Sequence, residues 1–282
     1  MDVGLARTFL EVVSTCSFIK AAERLHVTQT AVSARIRVLE EQLGRRLFVR
    51  NKAGARLTPD GERFVRHATT LVQIWERARH QVALPPGRAD GISVGGELAL
   101  WKPLLADWLV WMHQECHDIA VRAVVDIPSR LMDRVQDGSL DLAVLYGPTQ
   151  RPDLVVELLA EEKLVLVTTT EDGTFGPDDY VHVDWGPAFA ASQQAAFPAL
   201  VDPAVSITLG PLALGYILSV GGAGYFRLGT VRPYLAEGRL HRVVGAPDFS
   251  HSVHLVYPAR GENHLLDRVR SGLRTCASTA TA

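Results

Sequence analysis

The stretch that decides the fold is residues 17–43, SFIKAAERLHVTQTAVSARIRVLEEQL. It predicts two short helices joined by a tight turn, and the second helix has two chemically different faces. Apolar residues at helical spacing predict a buried stripe of Val32, Ile36, Leu39 and Leu43. The opposite face carries Gln29, Thr30, Ser33 and Arg37. Because amide, hydroxyl and guanidinium groups read base edges and hold phosphates, this face predicts DNA recognition.

The turn residues fit a helix-turn-helix. Ser17 is placed to cap the first helix and Thr28 to cap the second, and we count both among the candidate DNA-binding residues. Small side chains at Ala21 and Ala22 allow the helices to cross closely, and Gly44 can end the second helix in a left-handed conformation. An ordinary amphipathic helix pair with solvated polar residues is the alternative.

A basic hairpin is predicted next. Residues 47–50 and 55–58 form its two strands, and residues 51–54 form the turn. Its cations, Arg50, Lys52 and Arg56, suit contact with backbone phosphates beside the major groove. The same charges would also suit a hairpin that serves only solubility.

A long helix follows the hairpin. Thr58 can cap it, Pro59 suits its first position, and the pattern continues to about Leu84. Such a helix spans roughly 39 Å. One apolar stripe runs along it: Phe64, Ala68, Leu71, Val72, Trp75, Ala78 and Val82. An apolar stripe of this length needs a partner helix to cover it, most simply the same helix of a second subunit, so we predict a homodimer.

Charge divides the 282-residue chain into two parts. Residues 1–88 carry 15 Lys and Arg against 8 Asp and Glu, whereas the remainder carries 14 against 23. A basic first third is typical of a part that sits on a polyanion. No run approaches the ~20 apolar residues of a membrane span, and the N-terminus lacks a signal-peptide pattern, so we expect no membrane partner and a cytoplasmic location.

Metal and redox chemistry have little support in the sequence. Cys16, Cys116 and Cys276 are far apart and form no ligand spacing. His251 and His254 could be ligands on or beside a strand, but a surface or core-edge role is favoured. We therefore expect no metal and no cofactor.

From Gly91 onward strands and helices alternate. Such alternation predicts α/β architecture with parallel sheets and helices on both faces. The predicted strands are 91–95, 119–125, 140–146, 154–159, 164–168, 181–184, 205–209, 225–228 and 253–257. The predicted helices are 101–112, 129–136, 188–196, 211–220, 231–237 and 265–275.

At this point the chain resembles the LysR-type transcriptional regulators over essentially its whole length. The first match runs from Phe9 through Ala21-Ala22-Glu23-Arg24-Leu25 to Ser33, and continues at Leu43-Gly44, Leu47-Phe48 and Leu57-Thr58-Pro59. Residues 138–144, 237–240 and 255–258 match more weakly. Residues 99–101 and 184–187 are similar to the HdfR-like subgroup.

The resemblance implies an α/β chain in three parts. These are a winged helix-turn-helix at 1–58, a dimerising linker helix and hinge at 59–88, and a two-lobed domain like the periplasmic binding proteins at 89–282. Lobe I would take about 91–158 and 260–280, and lobe II about 159–259. It also implies a homodimer or homotetramer on an inverted repeat of double-stranded DNA, with RNA polymerase as a further partner.

Carried over residue by residue, Gln29, Thr30, Ser33 and Arg37 would face bases or neighbouring phosphates. Arg50, Lys52 and Thr58 would serve the wing and the DNA backbone. Ala34 departs from the family, which often has a polar residue there, and Arg35 next to it is a candidate substitute.

The resemblance also implies a small effector in a cleft between the lobes. The family usually has a hydroxyl-bearing loop after the first strand, whereas residues 95–100 read GGELAL. Since Glu97 would repel a carboxylate, we expect a neutral, cationic or largely apolar effector. The candidate contacts are Glu97, Leu98, Trp101, Ser129, Tyr146, Trp185, Leu209, Gly210, Pro211 and Tyr225. Trp101 could equally be a core residue, and an effectorless, degenerate cleft is the alternative.

Two other function classes are alternatives to regulated DNA binding. An enzyme is disfavoured because the chain has no P-loop and no GxGxxG after a strand. Residues 221–224 are glycine-rich, but they follow a helix and lead into a strand, so they predict a connector. An architectural DNA-binding protein without a ligand is the third hypothesis.

Overall fold

The computed structural model describes residues 2–51, 54–198, 200, 203–259 and 264–281. They divide into two units, one of residues 1–91 with 136–140 and one of residues 92–135 with 141–282. The first unit therefore takes in both the predicted winged domain and the predicted linker helix.

The first unit is a winged helix-turn-helix followed by a long helix. Its elements are α1 (Val3–Thr15), α2 (Phe18–Arg24), α3 (Gln29–Leu43), β1 (Phe48–Asn51), β2 (Gly54–Leu57) and α4 (Pro59–Val82). β1 and β2 pair antiparallel, with Phe48 opposite Leu57. The predicted helices and the hairpin are confirmed.

Helix caps explain where these helices begin. The Ser17 hydroxyl accepts from the Lys20 N–H at 3.4 Å, and the Thr28 hydroxyl accepts from the Ala31 N–H at 3.2 Å. Thr58 does the same for α4, accepting from the Gly61 N–H at 3.0 Å. Such caps satisfy donors that have no partner inside the helix.

The core of this unit uses more of α4 than we predicted. Phe9 packs against Phe48 and Phe64, with ring centroids 5.2 and 5.1 Å apart. Ala68 and Val72 are buried in the same core. The apolar stripe of α4 is thus divided, because its first half covers the winged domain. The exposed members are Leu71, Trp75, Ala78 and Val82. Leu43, predicted as buried, is 40% exposed because it lies in the last turn of α3.

The second unit alternates strands and helices. Its strands are β3 (Asp90–Gly96), β4 (Ile119–Val125), β5 (Leu142–Tyr146), β6 (Leu154–Thr168), β7 (Val181–Val183), β8 (Val205–Ile207), β9 (Ala223–Arg227), β10 (His241–Arg242) and β11 (Phe249–Pro258). Its helices are α5 (Ala106–Glu115), α6 (Pro128–Gln136), α7 (Pro187–Ala196), α8 (Gly210–Val220), α9 (Leu228–Ala236) and α10 (His264–Thr281). β3 begins, and α6 ends, just across the boundary between the two units.

The prediction of parallel sheets is only partly right. A seven-stranded sheet runs in the order β10-β6-β11-β5-β3-β4, with β9 also paired to β6. The β3–β5 pair is parallel, whereas β11 pairs antiparallel with both β5 and β6. A separate pair, β7 and β8, is parallel. The sheet is therefore mixed.

β6 corrects a second prediction. Residues 154–159 and 164–168 were predicted as two strands, but one fifteen-residue strand contains both. The residues left between the two predicted strands include the charged Glu161, Glu162 and Lys163. They stay extended because β11 pairs alongside them, with His251 opposite Glu162.

Two hydrophobic cores define two lobes in this unit. The first contains Val94, Trp108, Val253 and Leu255, and the second is centred on Leu164–Val167. β6 and β11 run through both lobes. The predicted limit of lobe II at residue 259 is therefore wrong, because Val253 and Leu255 belong to the first core. Residues 260–263 of the predicted lobe I segment lie outside the described residues.

The predicted helix at 101–112 is also corrected. Lys102 has φ −134° and ψ 132°, so the chain is extended at that point and α5 begins only at Ala106. The cause is Pro103, since a residue that precedes proline is pushed out of the helical region. Among the helices that the structure describes, none is long and apolar enough to cross a membrane.

Candidate functional site

The apolar side of α3 packs into the core and thereby fixes the polar side of the helix at the surface. Val32, Ile36 and Leu39 are at most 1% exposed and lie in the core of the first unit. Gln29, Thr30 and Arg37 are exposed, and Ser33 is half-buried. The polar face is thus presented by a helix that cannot rotate without uncovering its apolar side.

A depression of about 580 Å³ lies between α3 and the hairpin β1–β2, which we call the wing. Four of the predicted DNA-binding residues line it: Thr30, Ser33, Arg37 and Thr58. The structure adds Ala34, Ile36, Glu40, Arg46, Phe48 and Val49. Arg46 was missed by the sequence analysis, although a cation just before a basic hairpin was a usable signal.

Charge in the depression comes mainly from arginine. Arg37 is 74% exposed and faces Glu41 at 3.8 Å, one helical turn away. An exposed pair of this kind contributes about 0.3–0.5 kcal/mol, so it can be exchanged for a phosphate at little cost.

Four further predicted DNA-binding residues are not among those that line the depression: Ser17, Thr28, Gln29 and Arg35. The Ser17 and Thr28 hydroxyls are engaged as helix caps. Arg35 donates to the Thr8 hydroxyl of α1 at 3.3 Å, so it points away from Thr30 and Ser33 and does not replace Ala34. Arg50 lies in β1, but its side chain is not described, and Lys52 lies outside the described residues.

A second cluster joins the two lobes of the second unit. Arg227, at the end of β9, is only 4% exposed. Its Nη1 donates to the Tyr146 hydroxyl at 3.1 Å and to Glu162 Oε1 at 3.4 Å, and its Nη2 donates to the Lys102 carbonyl at 3.4 Å. The Tyr146 hydroxyl donates in turn to Glu162 Oε2 at 2.7 Å. The buried cation is therefore paired, as a buried charge must be.

Aromatic rings complete this cluster. His251 stacks on Tyr146 with centroids 3.9 Å apart and meets the edge of Trp185 at 5.5 Å. The Trp185 indole donates to the Tyr225 carbonyl at 2.9 Å. A Cβ at Gly210 would lie 2.5 Å from the Trp185 ring, so only glycine lets α8 begin so close to it.

Burial shifts the acid–base behaviour of these groups. It lowers the pKa of His251 to about 4, with the nearby Arg227 charge as a smaller cause. It also raises the pKa of Glu97, although the Tyr146 N–H, which donates to Glu97 Oε1 at 2.7 Å, opposes that shift. The pKa of the Tyr146 hydroxyl lies well above its usual value, again mainly through burial. His251 is therefore neutral at pH 7.

The structure brings together some of the predicted effector contacts. Glu97, Tyr146, Trp185 and Gly210 are linked through the contacts above. Leu98, Trp101, Ser129 and Pro211 are exposed, and Leu209 occupies the position just before α8. Tyr225 does not fit the prediction, because its ring is fully buried against Phe189 and Phe249.

Three members of the cluster were missed. Arg227 is a charge directly after the apolar Tyr225 and Phe226, which was a usable signal of a buried functional cation. Glu162 falls between two predicted strands, and a surface or core-edge role is the prediction for His251. Among the described residues, no group of three or more His, Cys, Asp or Glu could hold a metal ion.

Comparison with known proteins shows which family the chain matches. The family described as "Bacterial regulatory helix-turn-helix protein, lysR family" matches residues 4–62, and "LysR substrate binding domain" matches residues 87–275. The transcriptional regulator HdfR of Escherichia fergusonii is 31% identical over 271 residues, covering 95% of this chain and 96% of the relative.

Solved structures give the same fold. Full-length OxyR from Pseudomonas aeruginosa, solved as a cysteine-to-aspartate variant, has a TM-score of 0.60 at 20% identity and covers 98% of this chain and 96% of its own. LysG from Corynebacterium glutamicum, solved with bound effector Arg, has a TM-score of 0.61 at 18% identity and covers 99% of each chain. The chain belongs to the LysR family of DNA-binding transcriptional regulators, which carry an effector-binding domain and are not enzymes.

Proposed function

We propose that this regulator places α3 in the major groove of an inverted-repeat operator, with the wing on the flanking phosphates. The observation that carries the proposal is the depression between α3 and the wing, lined by Thr30, Ser33, Arg37 and Arg46. Side chains of these types make hydrogen bonds to base edges and phosphates. Such a protein works where the chromosome is, in the cytoplasm, with RNA polymerase as a further partner.

Mutation separates base contacts from phosphate contacts. We expect Thr30→Ala to weaken the preference for one base pair of the selected duplex by about 1–3 kcal/mol, while binding to random duplex changes little. Arg37→Ala should weaken selected and random duplex alike and reduce the salt slope by about one.

The experiment is selection of a duplex from a random pool, followed by gel shifts over a salt series. Thr70→Ala on α4 and Arg239→Ala in the second unit are the matched controls. Equal losses on every sequence for both Thr30→Ala and Arg37→Ala would contradict the assignment, and so would failure of the selection.

The proposed assembly is a homodimer or homotetramer built on α4. Supporting this, α4 exposes Leu71, Ile74, Trp75 and Val82, and Ile74 is 59% exposed. A charge introduced there, as in Ile74→Glu, should shift the protein toward monomers in sedimentation velocity. An unchanged oligomer would place the interface elsewhere.

The proposed effector is a neutral, cationic or largely apolar small molecule held between the lobes. Two observations support this class: Arg227 is already paired with Glu162, and the half-buried Glu97 presents a carboxylate. LysG, with its bound Arg, gives one relative whose effector is a cation. Calorimetry with arginine and acetate as probes tests the class, because tight acetate binding that survives Glu97→Gln would refute it.

A ligand-independent regulator with a degenerate cleft is the second candidate. What favours it is the cluster itself, since Arg227 and Tyr146 are already hydrogen-bonded to each other and the Trp185 indole already donates to the Tyr225 carbonyl. In that case no small molecule should change operator affinity, and Arg227 or Tyr146 substitutions should alter stability without altering regulation in a reporter strain.

A further inference from the structure

A carboxylate in the depression is unexpected on electrostatic grounds. Glu40, on α3 one turn beyond Arg37, lines the same depression as Thr30 and Ser33. A negative charge there faces the phosphates of any bound duplex, which is unfavourable. Its contacts give the reason for its presence.

Glu40 holds the start of the wing. Its Oε1 accepts from the Leu47 N–H at 2.7 Å and from the Phe48 N–H at 3.2 Å. Leu47 and Phe48 are at most 5% exposed, and buried N–H groups need a partner. One side-chain oxygen thus satisfies two donors at the point where the chain leaves α3 and enters β1.

The other side of the same segment is held by Thr58. Its hydroxyl donates to the Arg46 carbonyl at 2.7 Å, and its N–H donates to the Leu47 carbonyl at 2.9 Å. Residues 46–48 are therefore clamped between α3 and the start of α4. Glu40 is the side chain that makes the connection to α3.

We propose that Glu40 is a positioning residue for DNA recognition, which sets the distance between the groove-reading face of α3 and the wing. The proposal rests on the proposed function, because it assumes that both parts contact one duplex. Without Glu40 the side-chain link from α3 to residues 47 and 48 is lost, so the wing, and Arg46 with it, can shift relative to α3, while Thr30, Ser33 and Arg37 keep their places.

The sign of the effect separates positioning from charge. Loss of a negative charge alone should tighten binding to DNA, so Glu40→Gln, which keeps an acceptor oxygen within reach, should bind as tightly as the original chain or more tightly. Glu40→Asp keeps the charge but shortens the side chain by one methylene. We expect Glu40→Asp and Glu40→Ala to bind about 10-fold more weakly and to lose about one to two units of salt slope.

The experiment uses the full chain on a duplex selected from a random pool. Anisotropy over a salt series gives affinity and slope, and hydroxyl-radical footprinting shows which phosphates are covered. We expect Glu40→Asp and Glu40→Ala to lose the outer protections and to retain the central ones. Glu23→Ala, at an exposed position of α2, is the control for removal of a carboxylate.

Three outcomes would overturn the proposal. One is Glu40→Asp binding with the full footprint and slope of the original chain. Another is Glu40→Gln losing as much as Glu40→Asp. The third is a uniform loss of central and outer protection. If Glu40→Ala does not fold, as judged by circular dichroism, the Asp and Gln variants still decide. If the original chain selects no duplex, the proposed function fails before this test begins.

Discussion

Replacing Arg227 by methionine tests the cluster that joins the two lobes. Methionine approximates the arginine stem but removes the guanidinium, which leaves Glu162 without its buried cation and Tyr146 without a donor. The Lys102 carbonyl also loses a hydrogen bond. The variant should therefore destabilise the second unit.

The size of the loss follows from burial. Removing one partner of a buried ion pair costs about 3–5 kcal/mol, because the other charge is left uncompensated. Arg227 is 4% exposed but Glu162 is 17% exposed, so water can reach Glu162 and we expect the lower end, about 3 kcal/mol. For a unit of this size, that corresponds to a fall of about 6–12 °C in Tm.

Tryptophan fluorescence during thermal unfolding of the full chain measures this. Four of the five tryptophans lie in the second unit, all except Trp75. Arg130→Met is the matched control, since Arg130 is 71% exposed and its pair with Asp126 is worth under about 1 kcal/mol. In the double variant with Glu162→Gln, the total loss should be smaller than the sum of the two single losses. A Tm within about 2 °C of the original chain, or additive losses, would refute the reasoning.

Three further predictions concern single side chains. Thr28→Ala should cost about 1 kcal/mol of stability through loss of the α3 cap, measured by urea unfolding, and no loss would show that the cap is not used. Gly61→Ala should weaken operator binding, because a Cβ there would lie 2.2 Å from the Leu47 carbonyl and push the wing outward; gel shifts with unchanged affinity would argue against this. His251 has a folded pKa of about 4 against 6.5 for an ordinary histidine, so the unfolded chain binds the proton first. The contribution of His251 to the free energy of unfolding should therefore fall by up to about 3 kcal/mol as the pH drops from 6.5 to 4. In the His251→Gln variant, Tm should depend less on pH across that range.

The polar face of α3 could be predicted because its signals are local. A 3.6-residue period sorts Val32 and Ile36 from Thr30 and Ser33, and the caps at Thr28 and Gly44 mark both ends of the helix. Each of these signals lies within one or two helical turns of the residue that it describes. The contacts of Glu40 could not be predicted in the same way. Its Oε1 accepts from N–H groups seven and eight residues away, across the turn between α3 and β1.

The errors in the second unit have a different cause. The pattern of β6 was broken by charged residues, and only pairing with β11, much further along the chain, keeps them extended. The mixed sheet has the same origin, since the direction of β11 is decided by tertiary pairing and not by its own residues. The division of the α4 stripe likewise depends on which side chains the winged domain places beside it.

The cluster around Arg227 shows how far such a site is from local reasoning. Its hydrogen-bonding partners lie 81, 65 and 125 residues away along the chain, and each comes from a different segment. No single segment of the sequence predicts the cluster, because each of its residues is ordinary in its own local pattern. The two sites therefore call for different experiments. Single substitutions can assign the residues of α3, because each acts from a fixed helix, whereas residues of the cluster compensate one another and need double-mutant cycles. An effector that enters between the lobes must compete with those internal contacts, so its apparent affinity includes the free energy of breaking them.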